Sequence, residues 1–147
     1  MKFKRRSRAA WQGGVEDGGG TIGLGSGAFE GAYSLQARTA DESPDTNPEE
    51  LIAAAHAGCF TMSLSNELTQ VGHPPTRLDT TATVYLEGGD DGFVIPRIHL
   101  VTTGEVPGID QAEFERLARE AERGCPVSKV LAAAEITLEA TLTSSGE

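Results

Sequence analysis

Three features are scarce in this 147-residue sequence, and each absence excludes a class of protein. No apolar run reaches the length of a membrane-spanning helix, and the basic start is not followed by the hydrophobic segment of a signal peptide. The two cysteines, Cys59 and Cys125, are too few for a secreted disulfide scaffold. Basic residues number 12 against 22 acidic ones, and the net charge of −10 disfavours nucleic-acid binding. We therefore expect a cytoplasmic protein without membrane or nucleic-acid partners.

The length is that of one domain, and no repeat or linker divides residues 1–147. The only basic cluster is at the start, where residues 2–12 carry five of the 12 Lys and Arg residues. Such a cluster is typical of a nucleic-acid or targeting patch, or of a solvated edge strand. We favour the edge strand, because the segment is short and leads into Trp11 of an otherwise acidic chain.

The most informative stretch has the signals of a helix start. Asn47 is a good N-cap, Pro48 suits the first helical position, and Glu49 suits the positive end of the helix dipole. A helix is therefore predicted to begin at Pro48. Gly72, followed after one residue by two prolines, predicts the end of this helix near residue 71.

The middle of this helix is unusually apolar, since almost every residue between Leu51 and Leu64 is small or hydrophobic. A helix that is apolar all round is buried on all sides, and a chain of this length has little structure with which to enclose one. We therefore predict a long buried central helix, in an oligomer that completes the cover.

The rest of the chain predicts antiparallel sheet and two further helices. Strand-like runs are found at residues 29–39, 78–86, 93–103 and 135–142. The runs at 78–86 and 93–103 are predicted to pair as a hairpin. Pro96 implies a bulge or an unpaired edge position. Apolar residues at helical spacing predict a surface helix over 109–123, and Pro126 predicts a short helix with Cys125 as its N-cap. This order of elements indicates an α+β fold with antiparallel sheet.

Residues 13–32 are rich in glycine, and Gly23 to Ala28 match the G-x-G-x-x-A pattern of a dinucleotide-binding loop. That loop needs a strand before it and a helix after it. Here a glycine run precedes the match and strand-like sequence follows it. We therefore interpret the segment as hairpin turns and expect no cofactor.

The two cysteines are the main candidates for chemistry, because a thiol becomes a nucleophile when a cation or a helix N-terminus favours its thiolate. Cys125 lies at a predicted helix start. Cys59 lies in mid-helix, where the dipole has faded, so its activation requires a cation from elsewhere. On the residues alone, Cys59 is equally a small buried hydrophobe, and Arg38 is a surface arginine.

His56 raises two alternatives. Together with Cys59, Cys125 and either His73 or His99 it offers enough ligands for a metal, but no second short-spaced pair accompanies them, and we expect no metal. A Cys–His nucleophile pair is the other alternative. For that pair, neither an oxyanion hole nor an orienting third residue is evident.

The chain resembles the osmotically inducible protein C and organic hydroperoxide resistance family, and most of all its osmotically inducible branch. The resemblance is carried by TNPEELIAAAHAGCF at 46–60, PTRLDTTAT at 75–83, VPGID at 106–110 and GCPVS at 124–128. It covers nearly the whole chain, and two cysteine motifs at matching separation make it specific.

The resemblance implies a thiol peroxidase. Its expected cycle has three steps: the position of Cys59 attacks an organic hydroperoxide and becomes a sulfenic acid, Cys125 resolves it as a disulfide, and a dithiol, often on a lipoyl-bearing protein, reduces the disulfide. Glu49 matches the family glutamate, and Arg38 matches the arginine before the acidic loop. The family fold implies an intertwined homodimer with two active sites at the interface and with the long central helices wrapped by antiparallel sheet.

The spacing of Glu49 and Cys59 adds a condition. Arg38 is able to supply the cation that Cys59 lacks, with Glu49 holding its guanidinium in a bidentate pair. However, the helical rise from Glu49 to Cys59 is about 15 Å, too far for both to share one arginine. If two helices pack antiparallel about Ala54, Glu49 of one chain meets Cys59 of the other. We therefore expect each site to be built from two chains.

The competing class is non-catalytic: a redox sensor that uses the same cysteines, or a small-ligand binding module with the same cavity. A sensor is oxidised once, whereas an enzyme consumes many equivalents of peroxide. No DNA-binding helix is evident, which disfavours a sensor that regulates genes. Apolar residues around Phe60 and Met62 favour organic hydroperoxides over hydrogen peroxide.

Overall fold

The computed structural model describes residues 1–143. They divide into two compact units, which we call the first unit (Met1–Leu51) and the second unit (from Ile52 onward). The single domain over residues 1–147 stays a prediction. None of the helices in residues 1–143 is long and apolar enough to cross a membrane.

The first unit contains a three-stranded antiparallel sheet in the order β1-β2-β3 and one short helix. Its elements are β1 (Ser7–Gln12), β2 (Gly19–Leu24), β3 (Glu30–Tyr33) and α1 (Leu35–Thr39). The edge strand predicted at the start is confirmed as β1, and the glycine-rich segment forms the turns and the middle strand of this sheet. Gly20 is required there, because a Cβ on it would lie 2.6 Å from the Tyr33 ring and 2.8 Å from the Trp11 ring.

The strand predicted over residues 29–39 is wrong beyond Tyr33, because the chain turns into α1 (Leu35–Thr39). Ser34 is the N-cap, and its Oγ accepts a hydrogen bond of 3.0 Å from the Ala37 amide. Arg38 consequently lies in the last turn of a helix.

Helix α2 (Pro48–Gln70) begins in the first unit and continues in the second. Its predicted start is confirmed, because Asn47 Oδ1 accepts a hydrogen bond of 2.8 Å from the Glu50 amide. Its predicted end is confirmed as well: Gly72 has φ +87°, and the His73 amide donates to the Leu68 carbonyl at 2.9 Å.

The single chain covers one face of α2. Phe60, Leu64 and Leu68 are fully buried on that face. The opposite face is small or apolar but exposed; it consists of Ala54, Ala55, Gly58 and Met62, and we call it the exposed face of α2. Met62 is 76% exposed, so the cover that we predicted on all sides of the helix is missing from this face within residues 1–143.

The second unit contains a three-stranded sheet in the order β4-β5-β6 and two helices. Its elements after α2 are β4 (Arg77–Gly89), β5 (Gly92–Glu105), α3 (Gln111–Gly124), α4 (Pro126–Val130) and β6 (Glu135–Leu142). The predicted β4–β5 hairpin is confirmed, and its register shifts between Tyr85 and Glu87, opposite Pro96. Strand β6 pairs with β5 in parallel, so this sheet is mixed and not wholly antiparallel as predicted. The reason is the connection through α3 and α4, which returns the chain to the end where β5 began.

The core of the second unit lies between α2, α3 and the sheet. The apolar stripe predicted for α3 is buried: Phe114, Leu117, Ala118 and Ala121. These residues pack in one cluster with Phe60, Leu64, Leu68, Leu100, Val106 and Cys125. Cys59 is partly exposed and packs against this cluster, so the two thiols lie at the border of the core, Cys125 on the buried side and Cys59 on the exposed side.

Candidate active site

Cys59 and Cys125 are in contact in the second unit, with their Sγ atoms 3.1 Å apart and both thiols free. Cys125 is placed by its neighbours: α3 ends at Gly124, α4 begins at Pro126, and Cys125 fills the N-cap position between them. Its Sγ accepts a hydrogen bond of 3.4 Å from the Ser128 amide. The predicted N-cap is thus confirmed, and the sulfur atom itself performs the capping.

Access differs between the two thiols. Cys125 is fully buried, whereas Cys59 is partly exposed. Burial raises the pKa of the Cys59 thiol, and the hydrogen bond with Cys125 raises it further, while the Val127 backbone amide opposes the shift. None of these three influences is a cation. The Cys59 thiol is therefore partly exposed, and none of these influences from residues 1–143 is the positive charge that favours a thiolate.

A cation with a fixed orientation is present in the first unit. Arg38 donates from Nε to Glu49 Oε1 at 2.7 Å and from Nη2 to Glu49 Oε2 at 3.0 Å, a bidentate pair. The Asn47 side chain donates to the Ala37 carbonyl at 3.1 Å and so ties α1 to the start of α2. The structure therefore brings together Arg38 with Glu49, and Cys59 with Cys125, while their roles in catalysis stay predictions.

A cavity of about 480 Å³ adjoins Arg38 in the first unit. Its apolar lining includes Trp11, Val15, Tyr33 and Leu35. The Trp11 and Tyr33 rings meet edge to face, with centroids 5.3 Å apart. This cavity offers an apolar molecule a surface beside a guanidinium group.

The metal site that we considered around His56 is not assembled. His73 Nδ1 lies 3.2 Å from the Pro107 carbonyl oxygen, and His99 contacts Thr137 and Glu139. Among residues 1–143, no three His, Cys, Asp or Glu side chains come together as a metal-binding cluster.

His56 instead contacts Ser128, which was not predicted to be a site residue. Its Nε2 lies 2.7 Å from Ser128 Oγ, and both side chains are buried. Burial lowers the pKa of His56 and so favours the neutral ring. The sequence signal for Ser128 was its place in the GCPVS segment, three residues after Cys125.

The chain is similar to known proteins in sequence. A family model described as OsmC-like protein matches residues 40–141. Peroxiredoxin OsmC of Escherichia coli (strain K12) is 45% identical over 145 residues, which cover 98% of this chain and 100% of that protein. Organic hydroperoxide resistance protein OhrA of Bacillus subtilis (strain 168) is 33% identical over 97 residues, which cover 64% of this chain and 66% of that protein.

The fold is shared as well. The crystal structure of an OsmC-like protein from Mycoplasma pneumoniae superposes with a TM-score of 0.76 at 18% identity, and the match covers 97% of this chain and 99% of that one. The family match extends over more than half of the sequence, and the identity to a relative extends over nearly all of it. The chain therefore belongs to the OsmC-like protein family.

Proposed function

We propose that this chain is a thiol-dependent peroxidase that reduces organic hydroperoxides, with Cys59 as the attacking thiol and Cys125 as the resolving thiol. The observation that carries the proposal is the 3.1 Å contact between the two sulfur atoms. The order of the roles follows from access, because a hydroperoxide reaches the partly exposed Cys59 but not the fully buried Cys125. The names of the relatives, peroxiredoxin OsmC and organic hydroperoxide resistance protein, support the same reaction class.

The reaction balances in two steps. The Cys59 thiolate attacks the outer oxygen of the hydroperoxide, the O–O bond breaks, and the alcohol leaves with a proton, so that Cys59 becomes a sulfenic acid. The sulfur of Cys125 then attacks the sulfur of Cys59. The S–O bond breaks, and the hydroxyl leaves as water with the proton of the Cys125 thiol, which yields a Cys59–Cys125 disulfide.

A dithiol completes the cycle. Its first thiolate attacks the disulfide at Cys59, because Cys125 is buried, and Cys125 leaves as the thiol. Its second thiol then displaces Cys59 and leaves the reductant as a cyclic or intramolecular disulfide. A lipoyl group on a protein has this chemistry, and we place the reaction in the cytoplasm, where free thiols are maintained.

The activating cation in this proposal is Arg38, oriented by Glu49. The pKa of Cys59 is raised by burial and by Cys125, so the thiolate requires a positive charge. Glu49 and Cys59 are on the same helix with a rise of about 15 Å between them, so an arginine bound to Glu49 of one chain does not reach Cys59 along that chain's helix. The arginine that serves Cys59 therefore comes from a second copy.

The exposed face of α2 supports a homodimer. Its residues are small or flexible, and a Cβ on Gly58 would meet nothing within 4 Å in the single chain. Two such faces permit close packing of antiparallel helices about Ala54, which places Glu49 of one copy opposite Cys59 of the other. Burial of Met62, which is 76% exposed in one chain, would add to the stability of the pair.

The cavity beside Arg38 favours organic hydroperoxides over hydrogen peroxide. Its aromatic and aliphatic lining gains hydrophobic contact with the carbon chain of an organic substrate, and hydrogen peroxide has no such group. Under the two-chain arrangement the guanidinium of Arg38 faces the thiolate and the peroxide oxygens, with the apolar wall behind the organic group.

The test is consumption of cumene hydroperoxide with an excess of dithiol. We expect Cys59→Ser to abolish consumption, and Cys125→Ser to leave a sulfenic acid at Cys59 that a dimedone-type probe traps. Many equivalents consumed per wild-type chain identify an enzyme, whereas one equivalent identifies a sensor. Unchanged consumption by Cys59→Ser would falsify the proposal.

A further inference from the structure

The contact between His56 and Ser128 lies beside the two thiols, and the reaction steps above make no use of it. His56 precedes Cys59 by one helical turn on α2, and Ser128 follows Cys125 by three residues on α4. The bond of 2.7 Å between His56 Nε2 and Ser128 Oγ therefore joins the two segments that carry the thiols.

The direction of this hydrogen bond follows from the second ring nitrogen. His56 Nδ1 is buried and has no hydrogen-bond partner among residues 1–143. In proteins, a buried N–H donor without a partner is rarer than a buried acceptor that lacks one. The neutral ring therefore carries its proton on Nε2 and donates it to the Ser128 hydroxyl oxygen.

Helix α4 needs an anchor, because it has five residues and short helices have little stability of their own. Its single buried side chain is that of Ser128, whereas Lys129 and Val130 are exposed. The Ser128 amide also donates to Cys125 Sγ at 3.4 Å. Ser128 therefore contacts His56 through its side chain and the sulfur of Cys125 through its backbone.

We propose that His56 and Ser128 are positioning residues for the resolving step: their hydrogen bond holds the first turn of α4 on α2, so that Cys125 is aligned with the sulfenic acid on Cys59. This inference rests on the proposed peroxidase function. A disulfide needs its sulfur atoms about 2.05 Å apart, so the two sulfurs must approach by about a further 1 Å along a defined direction. An error of this size in alignment is enough to slow a reaction by about 100-fold.

Loss of the His56–Ser128 bond should affect the rates of the two chemical steps differently. Attack on the hydroperoxide is made by Cys59 on α2, and α4 contacts this thiol through the Val127 backbone amide, which lowers its pKa. Loss of the His56–Ser128 bond should therefore slow the attack by much less than it slows disulfide formation. Formation of the disulfide depends on α4, so its rate should fall by at least about tenfold. Sulfenic acid then accumulates and, with excess peroxide, is oxidised to sulfinic acid.

The experiment is a single turnover of the full-length reduced protein with one equivalent of cumene hydroperoxide. Samples are quenched over time with a dimedone-type probe, and mass spectrometry counts the sulfenic adduct and the disulfide. We expect Ser128→Ala and His56→Leu to prolong the sulfenic acid by about tenfold or more. We expect His56→Gln, whose amide retains an N–H donor, to close the disulfide within about threefold of wild type.

Two controls make the result specific to this bond. Ser63→Ala removes a hydrogen bond of 3.0 Å from α2 to the Ala121 carbonyl, which is on α3, and it should leave disulfide closure unchanged. The double variant His56→Leu with Ser128→Ala should close no more slowly than either single variant, because all three lack the same bond.

The outcomes decide between the inference and the function on which it rests. Closure at the wild-type rate in Ser128→Ala, or slowing that multiplies in the double variant, overturns the positioning role. If His56→Leu does not fold, Ser128→Ala against His56→Gln decides. A wild-type chain that forms no sulfenic acid overturns the peroxidase proposal itself, and that result is visible before any variant is compared.

Discussion

Arg38 and Glu49 form an ion pair in which the acid is the buried partner: the side chain of Glu49 is 9% exposed and that of Arg38 is 32% exposed. The guanidinium is thus held by a buried carboxylate through two hydrogen bonds, and about a third of the arginine side chain is exposed. A buried carboxylate that loses its partner destabilises its surroundings. Because two hydrogen bonds join the two groups, Glu49 holds the guanidinium of Arg38 in one orientation. A fixed cation of this kind is what a thiolate partner would require.

Replacement of Arg38 by Met should slow the reaction of Cys59 with cumene hydroperoxide by about 30-fold or more at pH 7, because a thiol without a cation is only about 3% thiolate or less at that pH. The rate of the variant should rise with pH, since the pKa of Cys59 is raised and the thiolate forms only as the pH approaches it. Stopped-flow measurement from pH 6 to pH 10 tests both expectations.

The matched control is Arg77→Met, which removes an arginine from an ion pair with Asp79 in which both side chains are mostly exposed. We expect this variant to keep the wild-type rate and pH profile. A wild-type rate for Arg38→Met at pH 7 would show that another group activates Cys59.

Mixing two inactive variants should restore activity if each site is built from two chains. Arg38→Met supplies an intact Cys59, and Cys59→Ser supplies an intact Arg38. A hybrid dimer of the two has one complete site, so an equal mixture after exchange should recover about one quarter of the wild-type activity. Failure to recover activity, with hybrids demonstrated by native mass spectrometry, would show that each site lies within one chain.

Gly58→Leu should convert the protein into a stable monomer. The new side chain meets open space in the single chain, and leucine favours a helix over glycine by up to about 1 kcal/mol. Between two copies of α2 the same side chain prevents close approach. Sedimentation should therefore show a monomer. Chemical denaturation should show that the Gly58→Leu substitution does not destabilise α2 within the single chain.

Ala133→Leu is the control for Gly58→Leu, because it adds comparable bulk at an exposed position outside α2. It should sediment as wild type. A dimer in both variants would mean that the exposed face of α2 is not the interface.

His56 should make the stability of the reduced protein depend on pH. Burial lowers the pKa of His56 in the folded chain, so below the ordinary value of about 6.5 the unfolded chain binds more protons than the folded one. Stability is therefore fully present above this pH and falls as the pH decreases, by up to about 1.4 kcal/mol per pH unit. Urea denaturation between pH 8 and pH 5 should show a smaller decrease for His56→Gln than for wild type, and equal slopes would contradict the assignment.

The ends of α2 were predictable because their signals are local. Asn47 and Pro48 act within one turn of the start of the helix, and Gly72 acts within one turn of its end. The bulge opposite Pro96 was predictable for the same reason, since a residue without an N–H disrupts the ladder at its own position.

Helix α1 was not predictable in this way, because a five-residue helix depends on tertiary contacts more than on its own residues. Ala37 is 4% exposed, and its carbonyl accepts the hydrogen bond from Asn47. The parallel direction of β6 was missed because the composition of a strand does not encode which end its connection reaches.

The residues of the candidate site also differ in whether the sequence alone could reveal them. The two thiols were candidates from their residue type, whereas their roles and the pairing of Arg38 with Glu49 came from a family resemblance, and the structure supplies the distances. Ser128 was missed because its partner His56 is 72 positions away, and a serine three residues after a cysteine carries no signal of burial by itself.

The separation of 66 positions between Cys59 and Cys125 has a consequence for the lifetime of the protein. A bond between them would close a loop of this length and remove conformational entropy from the unfolded chain, which stabilises the folded state by about 4 kcal/mol. The oxidised protein, which carries the Cys59–Cys125 disulfide, would then resist proteolysis better than the reduced protein with two free thiols. A shortage of dithiol would therefore preserve the oxidised protein in the cell, ready for reduction when dithiol returns.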